Sequence, residues 1–293
     1  IAINFNLNAD NFTRAYGDGT TVRDLEYAIF SKVDFDNGNY SSPVDGTHKE
    51  VKNAFSATHQ TTVIVEKLGM DHEYVAVFWA DAEIDNYIID WTTLTMEIED
   101  TDKLLAQDEA ADAFFAVYKF IANEEHIDSY VELKRPFAQL NIATSNMEAA
   151  VEALGTELTQ TAVRANTFTK LDLASGVASE PAECLFNFAA IPTEDTAISD
   201  GTNTFTRIAT CYILVNKNST EDEDVTIYLN DENYYRTFSD IDIKLYRNLR
   251  TNIVGNMFSG STEIEGVESP KNVSHKDGKF RVQLTWEAPS VAG

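Results

Sequence analysis

The sequence predicts a mainly all-β protein of two tandem antiparallel β-sandwiches with one or two short helices. Three observations predict it. About a dozen short runs rich in β-branched and aromatic residues follow one another, with turn signals between them. Helical spacing is confined to two stretches, so βαβ units do not arise. The 293 residues exceed one ordinary sandwich, and two of about 130 residues each fit the length.

The chain opens on IAINFNLN, where Ile1, Ile3, Phe5 and Leu7 alternate with Ala2, Asn4, Asn6 and Asn8, the period of a strand with one buried face. The stretch from Ala9 to Gly19 then turns to loop chemistry, with Asp18 between two glycines and a lone basic residue, Arg14. Such a loop invites cleavage between Arg14 and Ala15; the plainer reading is an edge strand followed by a loop. Further strands are expected at Val22 to Val33, Thr61 to Lys67 and Glu73 to Trp79, the last two joined as a hairpin through Leu68 to His72. Tyr87 to Trp91, Leu94 to Ile98, Ala113 to Ile121, Ser129 to Lys134 and Phe137 to Ala143 continue the series, with Pro136 marking an edge or a bulge.

Asp102 to Asp112 (DKLLAQDEAAD) is rich in helix formers, with Thr101 or Asp102 as N-cap. Ser145 to Leu154 is a second helix, with Ser145 as N-cap, Glu148 in the capping-box position and Gly155 as the stop. Strands resume at Phe168, Cys184, Phe205, Val225, Ile241 and Phe280. The division is 1–145, 146–262 and a tail, 263–293, that holds one more alternating run. No sequence repeat relates the halves.

Twenty-two Lys and Arg stand against 48 Asp and Glu, a net charge of -26. That field repels nucleic acid and anionic membranes. No run of 18 apolar residues spans a bilayer. The chemistry of sites is equally thin. There is no nucleophile elbow, phosphate loop or dinucleotide fingerprint, and His48, His59, His72, His126 and His275 make no zinc spacing. No catalytic, cofactor or metal residue is assigned, and an enzyme is the least favoured class. Glu221 to Asp224 lacks the spaced ligands of a calcium loop. Cys184 and Cys211 lie in apolar runs as small hydrophobes, with a disulfide between them the lesser option.

Three stretches carry a resemblance. RNLRTNIVGNM, from Arg247, resembles the C-terminal signature of Bacteroidales fimbrillins, the subunits of type V pili. KRPFAQLNI, Lys134 to Ile142, resembles a strand of the same family, and TRAYGDG, Thr13 to Gly19, resembles its arginine cleavage site. The resemblance implies transthyretin-like sandwiches, a lipoprotein precursor and a place at the cell surface or outer membrane in an extracellular fimbrium. It also implies polymerisation by β-strand exchange. An extracellular Arg-specific protease cuts after Arg14, the strand carrying Ile1, Ile3, Phe5 and Leu7 leaves, and a strand of another pilin subunit fills the groove. The candidate donor is Lys279 to Glu287, whose Phe280, Val282, Leu284 and Trp286 share one face. It follows the polar stretch Glu268 to Gly278. Folding back as the last strand of its own sheet is the other option. A host or bacterial surface ligand is left open as a partner. The rival class is a secreted, monomeric glycan-binding sandwich that stacks sugars on aromatics such as Trp91, Tyr234 and Tyr235.

Overall fold

The computed structural model describes residues 2–7, 19, 21–55, 60–65, 68–82, 86–122, 128–145, 147, 158–193, 197–199, 204–216, 223–230 and 235–255. In chain order the elements are β1 (Ala2–Leu7), β2 (Asp24–Ser31), α1 (Lys32–Asp36), β3 (Lys49–Val51), β4 (Gln60–Ile64), β5 (Glu73–Asp81), β6 (Tyr87–Asp90), β7 (Thr95–Ile98) and β8 (Phe114–Ile121). There follow β9 (Asp128–Leu133), β10 (Phe137–Thr144), β11 (Gln160–Asp172), β12 (Ala178–Ala190), β13 (Ala197–Ser199), β14 (Thr204–Leu214), β15 (Glu223–Asn230), β16 (Tyr235–Ile243) and β17 (Arg250–Gly255). The protein is all-β and sandwich-like, as its alternating sequence predicts.

The first pair of sheets has the orders β4-β1-β9 and β3-β2-β5-β8. Leu25, Tyr27 and Ile29 of β2 and Ala76, Phe78 and Ala80 of β5 share one core with Val63 of β4, Val65 just beyond it, and Val131 and Leu133 of β9. Each fully buried Leu, Val or Phe stabilises by about 1.5–3 kcal/mol. The other face of β5 is buried as well: Val75, Val77 and Trp79 pack with Tyr87, Phe137, Leu171 and Tyr212. Burial on both faces is why EYVAVFW reads as a continuous apolar run. α1 is brief: Ser31 caps it by accepting from the Asp34 N–H at 3.0 Å. Gly38, at φ +71°, turns the chain out of it.

The second pair has the orders β13-β14-β10-β17 and β16-β15-β11-β7-β6, with β12 also on β11. Leu140, Ile142, Val163, Ile208, Cys211, Ile227 and Ile253 centre its core. Cys184 and Cys211 are both buried there as free thiols, in keeping with the reading as small hydrophobes. Burial pushes the pKa of both thiols up.

Several local expectations change. The stretch 102–112 is not an α-helix but two 3-10 turns, Thr101–Lys103 and Glu109–Ala111. Between them Leu105 bridges to Asn187 and Gln107 to Thr210, so sheet contacts override helix propensity. β4 and β5 form no hairpin: β4 pairs with β1 in one sheet, and β5 pairs with β2 and β8 in another. Pro136 marks neither an edge nor a bulge; it sits in a crossing, and the register shift of β10 comes later, at Ile142/Ala143. The second expected helix falls outside the described residues except for Ser145 and Met147.

Candidate functional site

β1 is the middle strand of its sheet. It runs antiparallel to β4 and parallel to β9, with Ala2 opposite Ile64 and Asp128, and Leu7 opposite Leu133. Among the described residues β4 and β9 are neighbours only through β1, so the sheet consists of β1 and the two edges it joins. Ile3 is in register with Val63, Phe5 with Val131 and Leu7 with Leu133, and all three partners are buried. The period-2 pattern of the opening stretch thus falls on the register positions of the core. Ile1, Arg14, Ala15 and the proposed donor residues Phe280, Val282, Leu284 and Trp286 lie outside the described residues.

The second pair of sheets repeats this arrangement. β10 lies between antiparallel β14 and parallel β17, as β1 lies between antiparallel β4 and parallel β9. β10 and β17 hold the two family-like stretches, which are 111 residues apart at Asn141 and Asn252 yet bond directly: Asn141 Nδ2 donates to Asn252 Oδ1 at 2.9 Å. Thr210 Oγ1 donates to Asn141 Oδ1 at 2.9 Å, and Arg250 Nε to Gln139 Oε1 at 3.3 Å.

Where β9 passes into β10, a buried ion pair closes the junction. Arg135 donates from Nε to Asp112 Oδ1 at 2.7 Å and from Nη2 to Oδ2 at 2.8 Å. Its guanidinium carbon stands 4.5 Å from the Phe114 ring centroid, and its N–H donates to Asn248 Oδ1 at 3.1 Å. Arg247 opens the basic stretch RNLRT. It donates to three backbone carbonyls: Nε to Pro136 at 3.1 Å, Nη1 to Gly176 at 2.7 Å and Nη2 to Val215 at 2.7 Å. Burial lowers its pKa to about 10. Sequence reasoning found these arginines as a string and missed their partners, which are distant in the chain.

Other proposed surfaces contract. Trp91 is 8% exposed, which leaves little ring for a sugar to stack on. Tyr234 lies outside the described residues, as do Glu221 and Asp222 of the acidic run, whose last two residues open β15. Among the described residues no three His, Cys, Asp or Glu side chains gather as metal ligands. No helix among them is long and apolar enough to cross a membrane.

No curated protein matches the chain. Solved structures do. A candidate adhesin of Bacteroides thetaiotaomicron superposes with a TM-score of 0.52 at 9% identity, covering 88% of this chain and 91% of its own. A candidate cell adhesion protein of Bacteroides ovatus gives 0.49 at 15% identity, covering 87% and 91%. A fimbrial assembly protein of Parabacteroides distasonis gives 0.45 at 13% identity, covering 98% and 98%. Identities this low make the likeness to the first one of fold, and the scores of the other two carry no further weight. One family profile matches residues 1–273, nearly the whole chain, and that family is described as one of unknown function. The chain belongs to this family, DUF6562.

Proposed function

We propose that the protein is a non-enzymatic subunit of a cell-surface adhesive fimbrium that polymerises by strand exchange. The observation that carries this reading is the place of β1, in the middle of its sheet with an edge on either side. Removing β1 uncovers two rows of backbone hydrogen-bonding groups and the core beside Val63, Val131 and Leu133. An alternating strand that supplies both ladders and the apolar side chains restores the sheet.

Cleavage after Arg14 by an Arg-specific extracellular protease frees β1, and Lys279 to Glu287 of another copy takes its place. Residues 256–278 give that strand a reach of up to roughly 75 Å when extended, enough to leave its own body. The fold likeness to the Bacteroides thetaiotaomicron candidate adhesin supports a surface role. In this reading the chain divides near Lys134–Pro136, ten residues before 145, because β10 pairs with β14 and β17.

The test is size-exclusion chromatography with mass spectrometry before and after limited digestion by an Arg-specific protease. Expected are a single cut after Arg14, loss of the 14-residue peptide and a ladder of oligomers. A native chain that resists cutting at Arg14, or a cut chain that keeps its peptide and stays monomeric at high concentration, refutes the proposal.

A further inference from the structure

The corner where β2 begins and β3 and β5 end is held by carboxylates. Asp24, the first residue of β2, stands opposite Asp81, the last residue of β5. Asp24 Oδ1 accepts from the Asn53 N–H at 2.8 Å, and its Oδ2 takes Lys52 Nζ at 2.9 Å. Main chain adds to the knot: Arg23 donates its N–H to the Asp81 carbonyl at 2.9 Å, and its own carbonyl accepts from the Phe55 N–H at 3.0 Å. What hangs from this knot is slight. β3 is an edge strand opposite only Leu25, Glu26 and Tyr27 of β2, with Lys49 and Glu50 exposed. Beyond it, Phe55 is 3% exposed and packs in the first core with Val22 and Leu25.

The charges around Asp81 are unbalanced. From β2 it faces Asp24 and Glu26, and from the chain after β3 it faces Lys52, which is shared with Asp24 and Glu50. Arg23 turns its guanidinium to the Val22 carbonyl at 3.4 Å, and His48 Nε2 meets Glu26 at 2.9 Å. From β6, Tyr87 is acted on by Asp81 together with Asp112 and Asp108, and its hydroxyl donates to the Ala111 carbonyl. Burial, Asp24 and Glu26 favour the protonated Asp81 carboxyl; the Trp79 indole N–H, at 2.8 Å, and Lys52 oppose them, and the balance lies at about 7. Protonated, the two carboxyls sit side by side across the strand pair. Ionised, they repel at the point from which residues 52–55 hang.

We propose that this corner is a pH-sensitive latch: protonated Asp81 keeps β3 and residues 52–55 on β2, and ionised Asp81 lets them come away while the rest of the fold holds. The opening is local because β3 meets β2 at three register positions, whereas β5 meets β2 and β8 at eight each. It uncovers Phe55 and the outer backbone ladder of β2. The closed corner holds a proton that the open corner, with Asp81 in water, releases near pH 4. Opening therefore becomes about tenfold easier for each pH unit from about 4 to about 7, and no easier above.

The experiment is hydrogen exchange by mass spectrometry on the full chain from about pH 5 to about pH 8, corrected for the intrinsic pH dependence of amide exchange. Peptides covering 49–55 are expected to lose about a hundredfold in protection between about pH 5 and about pH 7, then level off. A low concentration of guanidinium should leave that exchange unchanged, because little surface opens with it, and should speed exchange in β10. Asp81→Asn still accepts from Trp79 and should hold 49–55 at the acid-side protection throughout. Asp24→Asn keeps an acceptor for the Asn53 N–H, removes the facing charge and should end the slope at a lower pH. Protection of 49–55 that does not change with pH overturns the latch, as does the wild-type slope in Asp81→Asn or the wild-type end point in Asp24→Asn. Exchange of 49–55 that tracks β10 in guanidinium also overturns it, since the corner then opens only with the whole protein.

Discussion

Replacing Arg135 by Met leaves the buried Asp112 carboxylate without its guanidinium. The Arg135 side chain is 5% exposed and that of Asp112 0%, and the two share a bidentate contact at 2.7 and 2.8 Å. Removing one partner of a buried pair costs about 3–5 kcal/mol, most of it the stranded charge rather than the lost attraction. Met fills much of the volume over Phe114, so the cavity contribution is small. Chemical denaturation reads the loss as a lower midpoint at unchanged slope. Arg135→Lys keeps the charge without the planar fork and should fall between the two. The double variant Arg135→Met, Asp112→Leu removes both charges and should recover most of the single variant's loss. A single variant within about 1 kcal/mol of wild type, or a double variant no better than the single, refutes the reasoning.

Arg247→Ala removes three charge-assisted bonds to the carbonyls of Pro136, Gly176 and Val215. A loss of about 3 kcal/mol is expected, and Arg247→Lys should restore less than half, because one ammonium does not span three separated acceptors; equal midpoints for Lys and Arg would count against this role. Asp81 gives a pH signature. Burial raises its carboxyl to about 7, with Asp24 across the strand pair adding to the shift and the Trp79 indole N–H, at 2.8 Å, opposing it. The folded chain holds a proton that the unfolded chain releases near pH 4, so stability falls as pH rises from about 4 to about 7 and levels off above. Asp81→Asn still accepts from Trp79, should remove that slope and should gain up to about 4 kcal/mol at pH 8. Parallel stability profiles for the two proteins would exclude a raised Asp81.

Strands whose side chains alternate or are buried on both faces were legible in the sequence. EYVAVFW became β5 and FAQLNIA became most of β10, because burial follows the pleat and the pleat has period two. What stayed hidden depended on partners far along the chain. DKLLAQDEAAD has the residues of a helix, yet Leu104 and Ala106 are drawn into the second core and the backbone between them and Ala111 bridges two strands. Leu68 to His72 has the length of a hairpin turn, and no local signal distinguishes a turn within one sheet from a crossing between two. The arginines of RNLRT look like partners for an acid-rich surface. Arg247 instead bonds the ends of segments 32, 71 and 111 residues away. The candidate slot was half legible: the alternation of Ile3, Phe5 and Leu7 was on the surface of the sequence, and the two neighbours of β1 were not.

β1 and β10 occupy equivalent places, and the difference between them explains why only one is suited to exchange. β10 is buried at every residue, continues directly from β9, and is tied across to β17 and β14 through Asn141 and Gln139. Cutting the chain on either side of it leaves those side-chain bonds in place. β1 is joined to β2 by a stretch that contains Arg14. While that connection is whole, β1 meets its slot at an effective concentration on the order of millimolar. After a cut, the same strand at a micromolar total concentration is about a thousandfold more dilute, a loss of roughly 4 kcal/mol with no contact altered. A donor strand on a neighbouring copy pays that dilution once and then gains whatever body-to-body contact its tether allows. In the proposed exchange, proteolysis therefore acts through concentration alone: it leaves the slot unchanged and removes the advantage of the strand that filled it.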